Sequence, residues 1–519
     1  MELRDITIGE SIVERANKTP EGVFIKCEES IFTWKCVNSV TNKAAAIFTE
    51  YGIRQGDRVG IYGTNSVSWV FTFLTLQKIG ATTVLINSYY KEKELLNCIE
   101  MADVDFLFYG FSSEGDSYET VLDKLRQKKV DLKFFNMERS YDEWAEIGNL
   151  ERTVELPIIN SADLSSILFT SGTTSNCKGV KLSHFSLVNN AREIVSEMRW
   201  SASDTMCLSM PLFHCFGVTV GLVGSIVSGM GILVLDRYRS LNVCKAIEKY
   251  KLTVLNGVPS MFLALVKNPE SQKYDLTSLK SGIIAGSPIF KEDYFEICNT
   301  LKGIKLQTSY GLTETSPCVS IAQYDDSKEQ KAVSAGKIIN HVQVKIIDSS
   351  KNLCDAGKTG EIYIKGYNVM QGYITNSSEV CDALQPDGWL RTGDLGYLDE
   401  KGYLYIVGRR KNLIIRGGEN ISPHEIEAYI KDIDSGINTV VFGAATEVLQ
   451  EEIIACIEGK EDDILEKKIR SYLKDNLSKY KIPKHIVFLE EFPKNATGKV
   501  NEKKLREMAT DIFKKMSLK

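Results

Sequence analysis

No CxxC pair and no cysteine–histidine cluster with zinc-ligand spacing occurs in this chain, although 12 cysteines are spread from Cys27 to Cys456. Zinc modules of the finger or ribbon kind are thereby excluded. The opening residues Met1-Glu2-Leu3-Arg4-Asp5 lack the apolar core of a secretory signal. Scattered thiols without such a signal predict a reducing cytoplasm, with most cysteines acting as small buried apolar side chains. There is no basic tail or stripe, and the formal net charge is −5, which argues against nucleic acid as a partner. Repeats and low-complexity segments are also missing. One uncharged run, Cys215 to Leu235, is long enough to cross a bilayer. It is broken by Gly217, Gly221, Gly224, Gly229 and Gly231, and no basic cluster flanks it, so a buried helix followed by a core strand is expected instead of a membrane span.

What is present is the balance of a globular protein, 43% hydrophobic and 25% charged. At 519 residues, two or more domains are expected. Strand-like runs alternate with helical patterns through roughly the first 300 residues (Arg58 to Tyr62, then Val67 to Ile79 at helical spacing, then Ala81 to Ile86), which predicts α/β architecture with mainly parallel sheets. After Ser334 the texture becomes β-rich: Val342 to Ile347, Gly360 to Lys365 and Gly402 to Val407, separated by Gly and Asp turns. A basic knot, Gly408-Arg409-Arg410-Lys411-Asn412, precedes an amphipathic tail whose first helix is announced by Ser422-Pro423. A domain boundary is expected near Lys411.

The sharpest motif is Leu168-Phe169-Thr170-Ser171-Gly172-Thr173-Thr174-Ser175-Asn176-Cys177-Lys178-Gly179-Val180. An apolar run delivers the chain into a loop of hydroxyl residues and glycine that ends on a lysine. Such a loop suits polyphosphate: glycine lets backbone approach closely, hydroxyls and backbone N–H groups donate, and lysine neutralises charge. GxxxxGK[ST] does not fit, so this is not a Walker A loop.

The loop resembles the TSGTTGxPKG signature of the adenylate-forming superfamily: acyl-CoA synthetases, adenylation domains and luciferases. Ser175 stands where Gly is usual and Cys177 where Pro is usual. Further motifs follow in the family's order. Met210-Pro211-Leu212-Phe213-His214-Cys215-Phe216-Gly217 resembles the segment that gates the acyl pocket, with His214 and Phe216 lining it. Gly286 and Ser287, after Ser281-Gly282, resemble the turn that covers adenine and borders that pocket. In Tyr310-Gly311-Leu312-Thr313-Glu314, the resemblance implies that Tyr310 stacks on adenine with Gly311 beside it, Thr313 bonds the α-phosphate, and Glu314 holds Mg²⁺. Asp394, in Arg391-Thr392-Gly393-Asp394, would accept the ribose hydroxyls, with Arg409 near the ribose or phosphates. Lys499, in Pro493-Lys494-Asn495-Ala496-Thr497-Gly498-Lys499, would bridge the substrate carboxylate and the α-phosphate. Asn501 stands where Arg or Asp is often found.

The resemblance runs from about Gly9 to Arg506. It implies a large N-terminal domain, residues 1–410, of two doubly wound α/β subdomains and a small β-barrel, followed by a mobile α+β domain, residues 411–519. It implies an AMP-forming acid–thiol ligase that uses ATP, Mg²⁺ and CoA, with Lys411 as hinge and Gly417 and Gly418 lining the path of the pantetheine arm. The stretch from Ile414 to Glu427 looks most like fatty acyl-CoA ligases. The turn Gly443 to Glu451 lacks the family's Pro and later Gly-Glu, and a carrier-protein thiol remains the alternative acceptor. No acidic residue lies beside His214 or Gly286 in the sequence, which disfavours amino acids, and the low-charge pocket motifs favour an apolar fatty or aryl acid. Oligomeric state, monomer or homodimer, is left open.

Overall fold

A computed structural model describes the chain except residues 28–29, 112–117, 129–130, 171–177, 376–382, 417–418, 447–449, 478, 496–498 and 518–519. The strand and helix patterns emerge where the apolar spacing puts them. The helix Val67–Ile79 starts on Ser66, whose hydroxyl accepts the Trp69 N–H, and stops at Gly80 in the left-handed region (φ +78°). It connects the adjacent parallel strands Arg58–Tyr62 and Thr82–Ile86 as the crossover of a βαβ unit.

Two large sheets result. In the first, seven strands run in the order Gly372–Ile374, Lys178–Ser183, Leu164–Thr170, Thr82–Ile86, Arg58–Tyr62, Phe106–Tyr109, Lys133–Asn136. Five of these are parallel; Leu164–Thr170 and Lys178–Ser183 form an antiparallel pair around the hydroxyl-rich loop. The second sheet has nine strands, with a parallel centre formed by Lys305–Gly311, Ser281–Ala285, Val254–Leu255, Thr205–Leu208, Gly231–Val234 and Val23–Cys27. Thr170, Ala285 and Gly311 each end a strand, so the motif residues cluster at the carboxyl ends of the strands, where ligands of open α/β sheets bind.

The uncharged run resolves into a buried π-helical turn, Phe216–Val223, a short helix, Gly224–Ser228, and the strand Gly231–Val234. Among the described residues no helix is long and apolar enough to cross a membrane. The Arg15 guanidinium donates to the carbonyls of Ile226 and Val227, satisfying the carboxyl end of that short helix.

The β-rich segment is a four-stranded antiparallel sheet, in the order Val342–Ile347, Gly360–Gly366, Leu390–Leu398, Leu404–Arg409. Its first and last strands are not hydrogen-bonded to each other among the described residues. The small C-terminal domain has a five-stranded sheet built on Thr439–Thr446 and Gln450–Glu458, with Ile414–Arg416, Glu419–Ile421 and His485–Leu489 completing it. Its own apolar core includes Ile426, Ile430, Ile453, Ile469 and Leu473.

Candidate active site

Three groups of side chains converge where the strand ends meet the C-terminal loop. In the first, Tyr310 closes the strand Lys305–Gly311, and its hydroxyl donates to Asp394 Oδ2 at 2.7 Å. Asp394 Oδ1 takes the Arg409 Nε at 2.8 Å. Asp394 and Arg409 are direct cross-strand partners, which fixes that pairing through the backbone. Burial, then the neighbouring Asp394 charge, raises the Tyr310 hydroxyl far above its ordinary range, so it remains a donor. At Gly311 an added Cβ would stand 1.8 Å from the Pro317 carbonyl oxygen. Only glycine lets the turn fold back there.

The second group surrounds Lys499. The Cys215 Sγ lies 3.6 Å from His214 Nδ1 and 3.7 Å from Thr313 Oγ1. His214 Nδ1 also accepts the Phe216 N–H at 3.4 Å, which assigns the imidazole proton to Nε2. Burial, followed by the positive charge of Lys499, pushes the imidazole down to about 4. The Lys499 ammonium is itself lowered by burial, with the Cys215 and Arg409 side chains as its electrostatic neighbours. A Cβ on Gly286 (φ +87°) would stand 3.4 Å from both Cε and Nζ of Lys499, so the lysine lies beside this turn. Ser287 beside it is exposed. Lys499 is tied to Asn495: its N–H donates to Asn495 Oδ1, and its carbonyl accepts the Asn495 N–H. Phe216 is buried at the start of the π-helical turn.

The third group joins Glu314 to Lys178 through Tyr373. Glu314 Oε1 accepts the Tyr373 hydroxyl at 2.7 Å, and the Lys178 ammonium lies 5.1 Å from the centroid of the Tyr373 ring. Thr170 ends its strand opposite Lys178. Ser171, Gly172, Thr173, Thr174 and Ser175 lie outside the described residues, as do Gly417 and Gly418, which fall between the paired strands Ile414–Arg416 and Glu419–Ile421. Lys411 sits in a single 3₁₀ turn, Arg410–Asn412, after the last strand of the four-stranded sheet and before the first strand of the C-terminal one. On its N-terminal side Arg410 and Arg391 share the buried Glu361.

Sequence reasoning missed two participants. Cys215 stood inside a quoted motif but was read with the buried apolar cysteines. Tyr373 belonged to no motif, and only the pairing of Gly372–Ile374 with Lys178–Ser183 brings it to Glu314.

The family of AMP-binding enzymes matches residues 12–374, and the AMP-binding enzyme C-terminal domain matches residues 425–499. The putative acyl-CoA synthetase YngI of Bacillus subtilis is 32% identical over 541 residues, covering 99% of this chain and 98% of that one. The mitochondrial medium-chain acyl-CoA ligase ACSF2 of Mus musculus is 32% identical over 546 residues, covering 99% and 89%. Among solved structures, ATP-bound MatB from Rhodopseudomonas palustris superposes with a TM-score of 0.87 at 24% identity, covering 98% of this chain and all of that one. The Bacillus subtilis o-succinylbenzoate CoA synthetase MenE in complex with its acyl-adenylate intermediate gives 0.82 at 26%, covering 97% and 99%. The chain belongs to the AMP-binding enzymes. Within them it is an AMP-forming acyl-CoA ligase, which makes an acyl-adenylate from ATP and a carboxylic acid and transfers the acyl group to CoA.

Proposed function

We propose that the acid is an apolar fatty or aryl acid of medium length, activated where Lys499, His214, Thr313 and Gly286 meet. The observation that carries this reading is the convergence of a half-buried ammonium from the C-terminal loop with the His214–Cys215–Thr313 cluster of the N-terminal domain. In the first step the carboxylate oxygen attacks the α-phosphorus and pyrophosphate leaves. Two anions must approach each other, so donors and positive charge have to be in place beforehand. Lys499 supplies the charge, Thr313 a hydroxyl donor, and the segment Thr170 to Lys178 the cradle for the departing phosphates. His214, neutral at physiological pH, presents an N–H without adding charge. Tyr310 and Gly311 flank the adenine, and Asp394 and Arg409 hold the ribose. Glu314 is the carboxylate that would carry Mg²⁺: a hard cation that keeps waters and substrate phosphate oxygens needs only one or two protein carboxylates, and no cluster of three ligating side chains occurs among the described residues. That ion would neutralise phosphate charge.

In the second step a thiol attacks the mixed anhydride and AMP leaves. Lys499 then occupies the approach, so the C-terminal domain, taken as 411–519, turns about Lys411 and brings Gly417 and Gly418 to the thiol path. The medium-chain name of the mouse relative and two buried apolar side chains, Phe216 next in sequence but one to His214 and Val258 beside Gly286, support an apolar acyl chain. The scattered cysteines support a reducing compartment, the cytoplasm. Replacing Lys499 with Ala tests the assignment. Octanoate-dependent ATP–pyrophosphate exchange should disappear, while CoA-dependent release of AMP from supplied octanoyl-adenylate should persist. Equal loss of both half-reactions rejects the role given to Lys499. Running the second assay with holo-carrier protein beside CoA should show CoA as the preferred acceptor.

A further inference from the structure

A buried ion pair ties the C-terminal domain to the wall of the site. Lys431, in the last turn of the helix Pro423–Ile433, places its ammonium 2.5 Å from Asp293 Oδ2, in the first turn of the helix Lys291–Thr300. Their side chains are 3% and 4% exposed. The same ammonium lies 4.4 Å from the centroid of the Phe290 ring, and the His424 ring leans on Phe290 at 5.1 Å. Asp293 Oδ1 is buried without a hydrogen-bond partner among the described residues. Phe290 and Asp293 lie four and seven residues after Gly286, whose turn lies beside Lys499, so one short segment borders both the latch helix and the catalytic loop.

We propose that Asp293, Phe290 and Lys431 form a latch that holds the C-terminal domain in the pose delivering Lys499, which makes Asp293 and Lys431 positioning residues for adenylate formation. The inference rests on the reading of Lys499 given above. A buried pair inside a permanent core adds little, because desolvation offsets the attraction. Across a face that opens, the same offset holds between the docked and open poses. Both charges regain water on separation, so the pair acts on the choice of pose rather than on folding. Removing one partner leaves the other buried and uncompensated only while the face stays closed, and that charge then drives opening. Asp293 is comfortable on either side of this change, since the N-terminal turn of its helix favours a carboxylate in water as well. The same face carries an opposing contact. Asp432 and Glu292 are near enough to repel, and burial with that repulsion raises the Asp432 carboxyl. Attraction at the buried Lys431–Asp293 pair thus works against a solvent-screened repulsion one residue away on each helix.

The test compares Asp293→Asn, Lys431→Met and the charge-exchanged double variant Asp293→Lys/Lys431→Asp in full-length enzyme. Octanoate-dependent ATP–pyrophosphate exchange should fall at least about tenfold in each single variant, while CoA-dependent AMP release from supplied octanoyl-adenylate stays within about twofold of wild type. The double variant should recover part of the exchange rate. Dyes introduced at the exposed positions Lys302 and Lys467 should report a wider interdomain distance distribution in the single variants. Equal loss of both half-reactions overturns the latch, as does full exchange activity with an unchanged distance distribution. Lys499→Ala run in parallel separates the two readings. If it retains exchange, the role of Lys499 falls and the dye distances alone decide the latch.

Discussion

Replacing Asp394 with Asn should remove the enzyme's ability to recognise ribose hydroxyls while leaving the fold intact. The carboxylate is 3% exposed, with one oxygen on the Tyr310 hydroxyl and the other on Arg409. When ribose binds, its hydroxyls add to or displace these donors on an ionised acceptor. Each hydrogen bond to a charged group contributes about 1.5–3 kcal/mol. Asn keeps one acceptor oxygen and turns the other position into a donor facing Arg409, so roughly one such bond is lost with its charge. A loss of about 2–3 kcal/mol corresponds to about 30- to 150-fold in kcat/KM for ATP, at 1.4 kcal/mol per factor of ten. The effect on folding should be small. The Arg409 side chain is 46% exposed and can hydrate, so losing its ion pair should shift stability by less than about 1 kcal/mol. The assay is ATP–pyrophosphate exchange with ATP and with 2′,3′-dideoxy-ATP. Wild type should prefer ATP by a factor comparable to the loss in the variant, and Asp394→Asn should discriminate between the two nucleotides only weakly. A variant that keeps the wild-type preference refutes the ribose assignment, and one that melts many degrees lower refutes the claim that the ion pair is dispensable to folding.

Gly286→Ala should cost about 1–2 kcal/mol in the left-handed backbone region. It should lower adenylation more than it lowers Tm, because the backbone strained by the left-handed φ of +87° borders Lys499, which the new Cβ itself would meet only in ordinary contact at 3.4 Å; parallel exchange kinetics and thermal melts check this. Lys411→Pro should spare adenylation and stop thioester formation, read by the same two half-reactions. His184 is 1% exposed, accepts the Ile8 N–H on Nδ1, and is pushed by burial down to about 4. A depressed histidine contributes stability that is present above its unfolded value of about 6.5 and is lost as pH falls towards 4, here about 3 kcal/mol. His184→Asn keeps an acceptor near the Ile8 N–H, and urea melts between pH 7 and 4 should become less steep with pH by about one proton.

Much of the architecture was legible because it follows from local rules. Ser66 and Gly80 bracket the helix Val67–Ile79, and the strand Arg58–Tyr62 coincides with its apolar run. The uncharged stretch after Cys215 could be read as helix then strand, but not as a π-helical turn. That geometry comes from packing: a Cβ on Gly217 would stand 2.1 Å from the Pro211 carbonyl oxygen, an approach that no single-segment pattern encodes. The motif residues could be named in order, yet their pairings could not. Tyr310 meets Asp394 across 84 positions of sequence, and Tyr373 reaches Glu314 across 59.

The least legible feature is the one that decides between the two half-reactions. Asp293 and Lys431 are 138 positions apart, on domains with separate cores. Each residue alone is an ordinary helix-end charge, placed where a helix dipole favours it: Asp293 in a first turn, Lys431 in a last. Local preference therefore accounts for both without the partner, and nothing in either helix requires docking. Their conjunction has meaning only as a difference in free energy between two arrangements of the same folded parts. A ligase that must admit Lys499 for one step and remove it for the next needs that difference to be small. A pair whose attraction is nearly offset by desolvation, set beside the Asp432–Glu292 repulsion, meets that requirement, whereas a large apolar interface would hold the first pose too firmly for the second step to follow.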